Sequence, residues 1–168
     1  NEEAIIDELI ERSSNVLGEL SDDYEMMLVD DGSRDGSLKK MLQHREGNKR
    51  IKVLSLSKNF GHQAALTAGL EHARGEFIAM MDGDLQDPPE HIREMYLKLK
   101  SGEYDVINGI RKARKGGIGK RIVLNSFHCL FKRVSGLKEI ENTGNFSMMN
   151  RKALTGLLEI KEKSRYLP

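Results

Sequence analysis

The chain has 168 residues, 38% hydrophobic and 32% charged, with a net charge of +1, a balance that suits one globular domain with its own core. So small a net charge disfavours a nucleic-acid binder. The single cysteine, Cys129, allows no internal disulfide and suits a reducing compartment, and no signal peptide or apolar run near the ~20 residues of a spanning helix is visible.

The first predicted element is a helix over Ala4–Leu20. Its apolar residues are Ile5, Ile6, Leu9, Ile10, Val16, Leu17 and Leu20, and Glu2, Glu3 and Asp7 enrich its opening in acid, as the helix dipole favours. A helix in this place should follow a strand. A first strand is therefore expected upstream, and the chain reads as a piece of a longer protein. Tyr24–Val29 reads as a strand ending in Asp30-Asp31-Gly32-Ser33, followed by a helix over Leu38–Arg45 with Asp35 or Ser37 as its cap. Ile51–Ser57 is the next strand; Asn59-Phe60-Gly61-His62 then leads to a helix of small residues and leucines over Ala64–Ala73.

Phe77-Ile78-Ala79-Met80-Met81 is an unbroken apolar run, the mark of a strand buried on both faces. It ends in Asp82-Gly83-Asp84-Leu85-Gln86-Asp87-Pro88-Pro89-Glu90, where Pro89 suits the first turn of a helix over Pro89–Lys100. Tyr104–Ile110 is a further strand. The rhythm then breaks: Arg111, Lys112, Arg114, Lys115, Lys120 and Arg121 come with no acid among them, and Gly116, Gly117 and Gly119 loosen the backbone. That run reads as a solvated loop, a lid over substrate, or a contact with an anionic membrane surface. A helix over Ile122–Val134, an extended segment over Thr143–Met149 and a last helix over Arg151–Glu159 complete the chain. The alternation predicts a single α/β domain over 1–168, with a mostly parallel central sheet flanked by helices.

Open α/β sheets bind ligands at the carboxyl ends of their strands. Asp82 and Asp84 fall there, and two carboxylates so close repel unless a cation lies near them. A hard ion, Mg²⁺ or Mn²⁺, held by one or two carboxylates and substrate phosphates fits the pattern. The competing reading is a strand-to-helix turn with Asp and Gly as turn and cap residues. The chain holds no Gly-x-Gly-x-x-Gly and no P-loop, which disfavours dinucleotide and P-loop nucleotide binding. His62, His72 and His91 have no metal-ligand spacing; His62 reads as a loop residue near the site, and Cys129 as a structural thiol.

Val29-Asp30-Asp31-Gly32-Ser33, Asn59-Phe60-Gly61 ahead of Ala64-Ala65-Leu66-Thr67-Ala68-Gly69, and Asp82 through Glu90 occur in this order. Together they closely resemble family-2 glycosyltransferases of the GT-A fold, a Rossmann-like fold for nucleotide-diphospho-sugar transfer. Among these the chain looks most like the dolichyl-phosphate-mannose synthase and bacterial polyprenyl-phosphate glycosyltransferase group. Asn1-Glu2-Glu3 resembles the tail of the family's opening Pro-x-Tyr-Asn-Glu strand. The resemblance implies that Asp31 hydrogen-bonds the nucleotide base with Asp30 beside it, and that Glu2 faces the nucleotide. It implies that Asp84 ligates the metal at the donor diphosphate, with Asp82 and Gln86 completing or orienting that site. Arg111 would lie near phosphates, and Arg121 is a candidate for the acceptor phosphate.

The departure lies at Asn142-Thr143-Gly144-Asn145-Phe146, where many relatives carry Asp-x-Gly-Asp-Phe-Arg with an aspartate proposed as base. Asn142 and Asn145 cannot take a proton. A phosphate acceptor is already ionised and needs no strong base; otherwise Asp87 is a candidate. The function implied is an inverting transfer of a hexose-type sugar from a UDP- or GDP-sugar to polyprenyl phosphate at the cytoplasmic face of a membrane. The rivals are transfer to a sugar hydroxyl in surface-polysaccharide synthesis and a nucleotide-sugar-binding domain without catalysis. Sugar, base, acceptor lipid and any homo-oligomer stay unspecified.

Overall fold

A computed structural model describes residues 1–110 and 143–159. In chain order the elements are α1 (Ile6–Leu20), β1 (Met26–Asp30), α2 (Ser37–Gly47), β2 (Ile51–Ser55), α3 (His62–His72), β3 (Phe77–Met80), α4 (His91–Lys100), β4 (Val106–Ile110), β5 (Thr143–Asn150) and α5 (Arg151–Glu159). The expected helix over Ile122–Val134, the cations from Arg111 to Arg121, Cys129 and Asn142 lie outside the described residues.

β1 and β2 pair in parallel, Met26 opposite Ile51 through Asp30 opposite Ser55. β5 lies between β3 and β4 and is antiparallel to both, with Ile78 opposite Met149 and Ile107 opposite Met148. The α/β class holds, and β3 and β4 run the same way. The segment expected only to be extended, however, is the antiparallel centre of its sheet. Burial explains its length: Phe146, Ser147, Met148 and Met149 are each 5% exposed or less, so both faces of β5 are covered.

Ile6, Leu9, Ile10 and Ser13 share the buried side of α1, at the three- and four-residue spacing of one helical face. Ile6 and Ile10 pack with Met41 of α2 onto Met26, Leu28 and Ile51. At the surface, Asp7 receives Lys40 at 2.5 Å and His44 at 2.8 Å, tying α1 to α2. Ile92, Met95 and Leu99 of α4 meet Phe146 and Met148 on one face of the three-stranded sheet. On the other face, Leu70 of α3 and Leu154 of α5 meet Ile78, Met80 and Met149. Two helices span both sheets from opposite sides. Leu17 of α1 packs into two of these clusters, and Gly69 of α3 lets Val29 approach so closely that a Cβ there would stand 3.1 Å from its Cγ2.

Several boundaries shift. α3 starts at His62, two residues before the expected Ala64, because Gly61 at φ +94° turns the chain into it. α4 starts at His91, after a turn in which the His91 N–H donates to Pro88 O and the Ile92 N–H to Pro89 O. Neither Asp35 nor Ser37 is the cap of α2; that position is Gly36, with no side-chain cap bond. Asp35 instead accepts from the Ser37 N–H at 3.0 Å, one residue too far back to be the cap.

Leu154 is fully enclosed whereas Leu97 is 58% exposed. Leu154→Ala should therefore cost about 2–5 kcal/mol in denaturant unfolding, and Leu97→Ala less than about 0.5 kcal/mol.

Candidate active site

The strand ends carry the acids, and backbone amides of neighbouring loops hold them. Met26, Leu28 and Asp30 share the inward face of β1, so Asp30 is only 2% exposed. Its carboxylate accepts from the Ser33 N–H at 3.3 and 3.4 Å and from Ser55 Oγ at 3.5 Å. Asp31, the next residue, points the other way. Its Oδ1 accepts from the Phe60 N–H at 2.7 Å and its Oδ2 from the Gly61 N–H at 2.9 Å. Both oxygens of the residue expected at the nucleotide base thus grip the loop after β2.

Gly32 makes this close approach feasible. At φ +70°, a Cβ on it would lie 2.7 Å from both Asn59 N and Lys58 C. Phe60 is 54% exposed, with Lys58 Nζ 5.2 Å from its ring centroid. The opening residues line the same loop system. Asn1 Oδ1 accepts from the Arg34 N–H at 2.8 Å, Glu3 Oε2 accepts from the Gly36 N–H at 2.9 Å, and the Glu2 N–H donates to Ser37 Oγ at 2.8 Å. The Glu2 residue itself is exposed.

Asp82 and Asp84 stand just past the end of β3. Asp84 Oδ1 accepts from the Gln86 N–H at 3.0 Å, and its other oxygen has no hydrogen bond among the described residues. Between them Leu85 takes φ 56°, the one non-glycine in the left-handed region among the described residues. Such a conformation costs about 1–3 kcal/mol and persists only where its surroundings impose it. The far end of the turn is anchored: Arg12 of α1 grips Glu90 with Nε at 2.9 Å and Nη2 at 2.8 Å, and Glu8 with Nη1 at 2.9 Å. The Arg12 hydrogen bond holds the Glu90 carboxyl at about 2, below its ordinary 4.5. Asp87 is 5% exposed, Asp84 is half-buried and Gln86 is exposed.

β5 and α3 complete the cluster. Asn145 Nδ2 lies 3.3 Å from both carboxylate oxygens of Asp82 and 2.8 Å from His62 Nε2, and His62 Nε2 lies 3.6 Å from Asp82 Oδ1. His62 is therefore a member of the site on the first turn of a helix. Arg12 is the residue that sequence reasoning missed. It sits on the polar face of α1, and only its pairing across 78 positions identifies it. Arg111 and Arg121 lie outside the described residues.

Among the described residues no three His, Cys, Asp or Glu side chains gather to hold a metal. The described residues therefore make no all-protein cage. The site offers hard oxygen donors in Asp84 and its neighbours, the set suited to an ion whose remaining ligands are substrate oxygens. Nor is any helix among the described residues long and apolar enough to cross a membrane.

The family described as Glycosyl transferase family 2 matches residues 1–158. An uncharacterised glycosyltransferase of Bacillus subtilis, YkcC, is 39% identical over 99% of this chain and 52% of its own length. An undecaprenyl-phosphate 4-deoxy-4-formamido-L-arabinose transferase of Shewanella sediminis is 32% identical over 100% of this chain and 51% of its own. The chain thus spans about half the length of the curated relatives it matches. Among solved structures, the Pyrobaculum calidifontis mannosyltransferase PcManGT, in complex with GDP-Man and Mn²⁺, superposes with a TM-score of 0.59 at 18% identity, covering 89% of this chain and 43% of that one. Staphylococcus aureus TarS gives 0.54 at 21% identity, over 90% and 44%. These likenesses show the fold, which is GT-A.

Two outcomes test the geometry. Gly32→Ala should lower stability by at least about 1–3 kcal/mol in denaturant unfolding, because it adds both left-handed strain and a backbone clash. Glu90→Gln should be less stable than the parent at neutral pH. Because the folded value of Glu90 is depressed, that difference should be full above pH 4.5 and vanish as pH falls toward about 2.

Proposed function

The chain belongs to glycosyl transferase family 2, and on that premise we propose that it transfers a sugar from a nucleotide-diphosphate donor to a polyprenyl phosphate, with inversion at the anomeric carbon. The observation that carries this reading is Asp84, at the carboxyl end of β3, with one carboxylate oxygen unengaged among the described residues. Asp84 and Asp82, with Gln86 beside them, would hold Mg²⁺ or Mn²⁺ together with diphosphate oxygens. When bound, such an ion offsets the charge that collects on the departing nucleoside diphosphate.

The chain's own residues do the rest. The Leu85 turn, fixed at one end by the Asp84–Gln86 bond and at the other by Arg12–Glu90, holds Asp84 just past the strand end. The interlocked Asp31 and Phe60 loops form the wall beside it, where the nucleotide is expected. An acceptor phosphate oxygen attacks the anomeric carbon while the bond from that carbon to the diphosphate oxygen breaks, and the diphosphate leaves with the electron pair. Attack from the side opposite the leaving group inverts the centre.

A phosphate acceptor arrives ionised, so the step requires no proton acceptor where Asn145 replaces an acid. The Shewanella sediminis relative, named an undecaprenyl-phosphate transferase, supports the same acceptor class. A polyprenyl acceptor places the working protein at a membrane surface, on the cytoplasmic side where nucleotide sugars are made. Glu2, Arg111 and Arg121 remain candidates for nucleotide and phosphate contacts.

The test is calorimetric titration of the full-length protein with UDP and with GDP, with and without Mn²⁺. One diphosphate should bind only with the ion, and Asp84→Ala should abolish that binding. Equal binding by Asp84→Ala and the parent would overturn the assignment.

A further inference from the structure

The geometry points to Asn145 as a positioning residue for Asp82: a neutral amide that turns this carboxylate inward and keeps a second negative charge out of the strand-end cluster. The inference rests on the donor-site reading of Asp82 and Asp84 and goes beyond it, since it gives the asparagine a task of its own. An amide nitrogen can only donate. One Nδ2 hydrogen faces both Asp82 oxygens, at 3.3 Å each, and the other is directed at His62 Nε2, 2.8 Å away.

Three elements are joined through this one side chain: the end of β3, the start of β5 and the first turn of α3. The arrangement also separates the two acids of the motif. Asp82, 24% exposed at its side chain, is held by Asn145, whereas one Asp84 oxygen has no hydrogen bond among the described residues.

An aspartate at 145 is nearly the same shape and opposite in effect. Its oxygen would replace Nδ2 at 3.3 Å from both Asp82 oxygens, an acceptor facing acceptors. Two carboxylates at that distance need a cation beside them. Asparagine avoids that repulsion and donates to Asp82 instead.

The experiment uses the full-length protein and its Asn145→Ala and Asn145→Asp variants. Thermal unfolding is followed after chelator treatment and again with Mn²⁺, and Mn²⁺ affinity is measured alone and with UDP or GDP. Removing a residue that orients a metal ligand should weaken Mn²⁺ about 10-fold in Asn145→Ala. Metal-free Asn145→Asp should unfold at least about 4 °C below Asn145→Ala, and Mn²⁺ should restore most of that loss. Parental Mn²⁺ affinity in Asn145→Ala would overturn the positioning role. If the parent itself binds no Mn²⁺, the donor-site reading fails, and the metal-free comparison decides the tether on its own. Asn145→Asp less stable than Asn145→Ala then supports it, and equal stability overturns it.

Discussion

Carboxylates at the strand ends are held by backbone N–H groups of the loops beside them, and the rest of the site follows from that pairing. Asp30 takes Ser33, Asp31 takes Phe60 and Gly61, and Asp84 takes Gln86. Bonds from an amide to an ionised acceptor are shorter and roughly twice as strong as neutral ones. They also leave the charge in place. The loops are thereby ordered around carboxylates, which gather at the end of the sheet. A cation, or a ligand that brings one, is attracted to such an edge before it makes any contact.

The layers beneath keep that edge in register. α1 packs against both sheets through Leu17 and supplies Arg12 to the turn after β3, so one helix serves the core with one face and the site with the other. α3 does the same from the opposite side, with Gly69 against Val29, Leu70 in the core and His62 in the acidic cluster. Functional loops on a rigid scaffold are the common arrangement. Here the scaffold helices also reach into the loops.

The strands and the acidic motif were legible in the sequence because burial writes itself as apolar runs and turns as Asp, Gly and Pro. Phe77–Met81 and Tyr24–Val29 showed their strands that way, and their acids fell at the ends as expected. Strand direction did not. Phe146–Met149 is buried on both faces, and a buried run carries no sign of whether its neighbours run parallel or antiparallel. The start of α3 was set two residues late because Gly61, which can stop a helix or start one, decided it through its backbone angle. Arg12–Glu90 and Asn145–Asp82 join residues far apart along the chain, so no local pattern announces them. The Asp31 grip on Phe60 and Gly61 is the same kind of surprise: residue type named a carboxylate for a ligand, and the fold gave it two amides first.

Antiparallel pairing of β4 with β5 sets Ile110 opposite Thr143. The 111–142 connection therefore leaves and rejoins the sheet at one place, on the edge where β3 ends. In evolutionary terms the sheet has a port at its chemical edge: the pairing of β4 with β5 fixes both of its posts, Ile110 and Thr143, side by side.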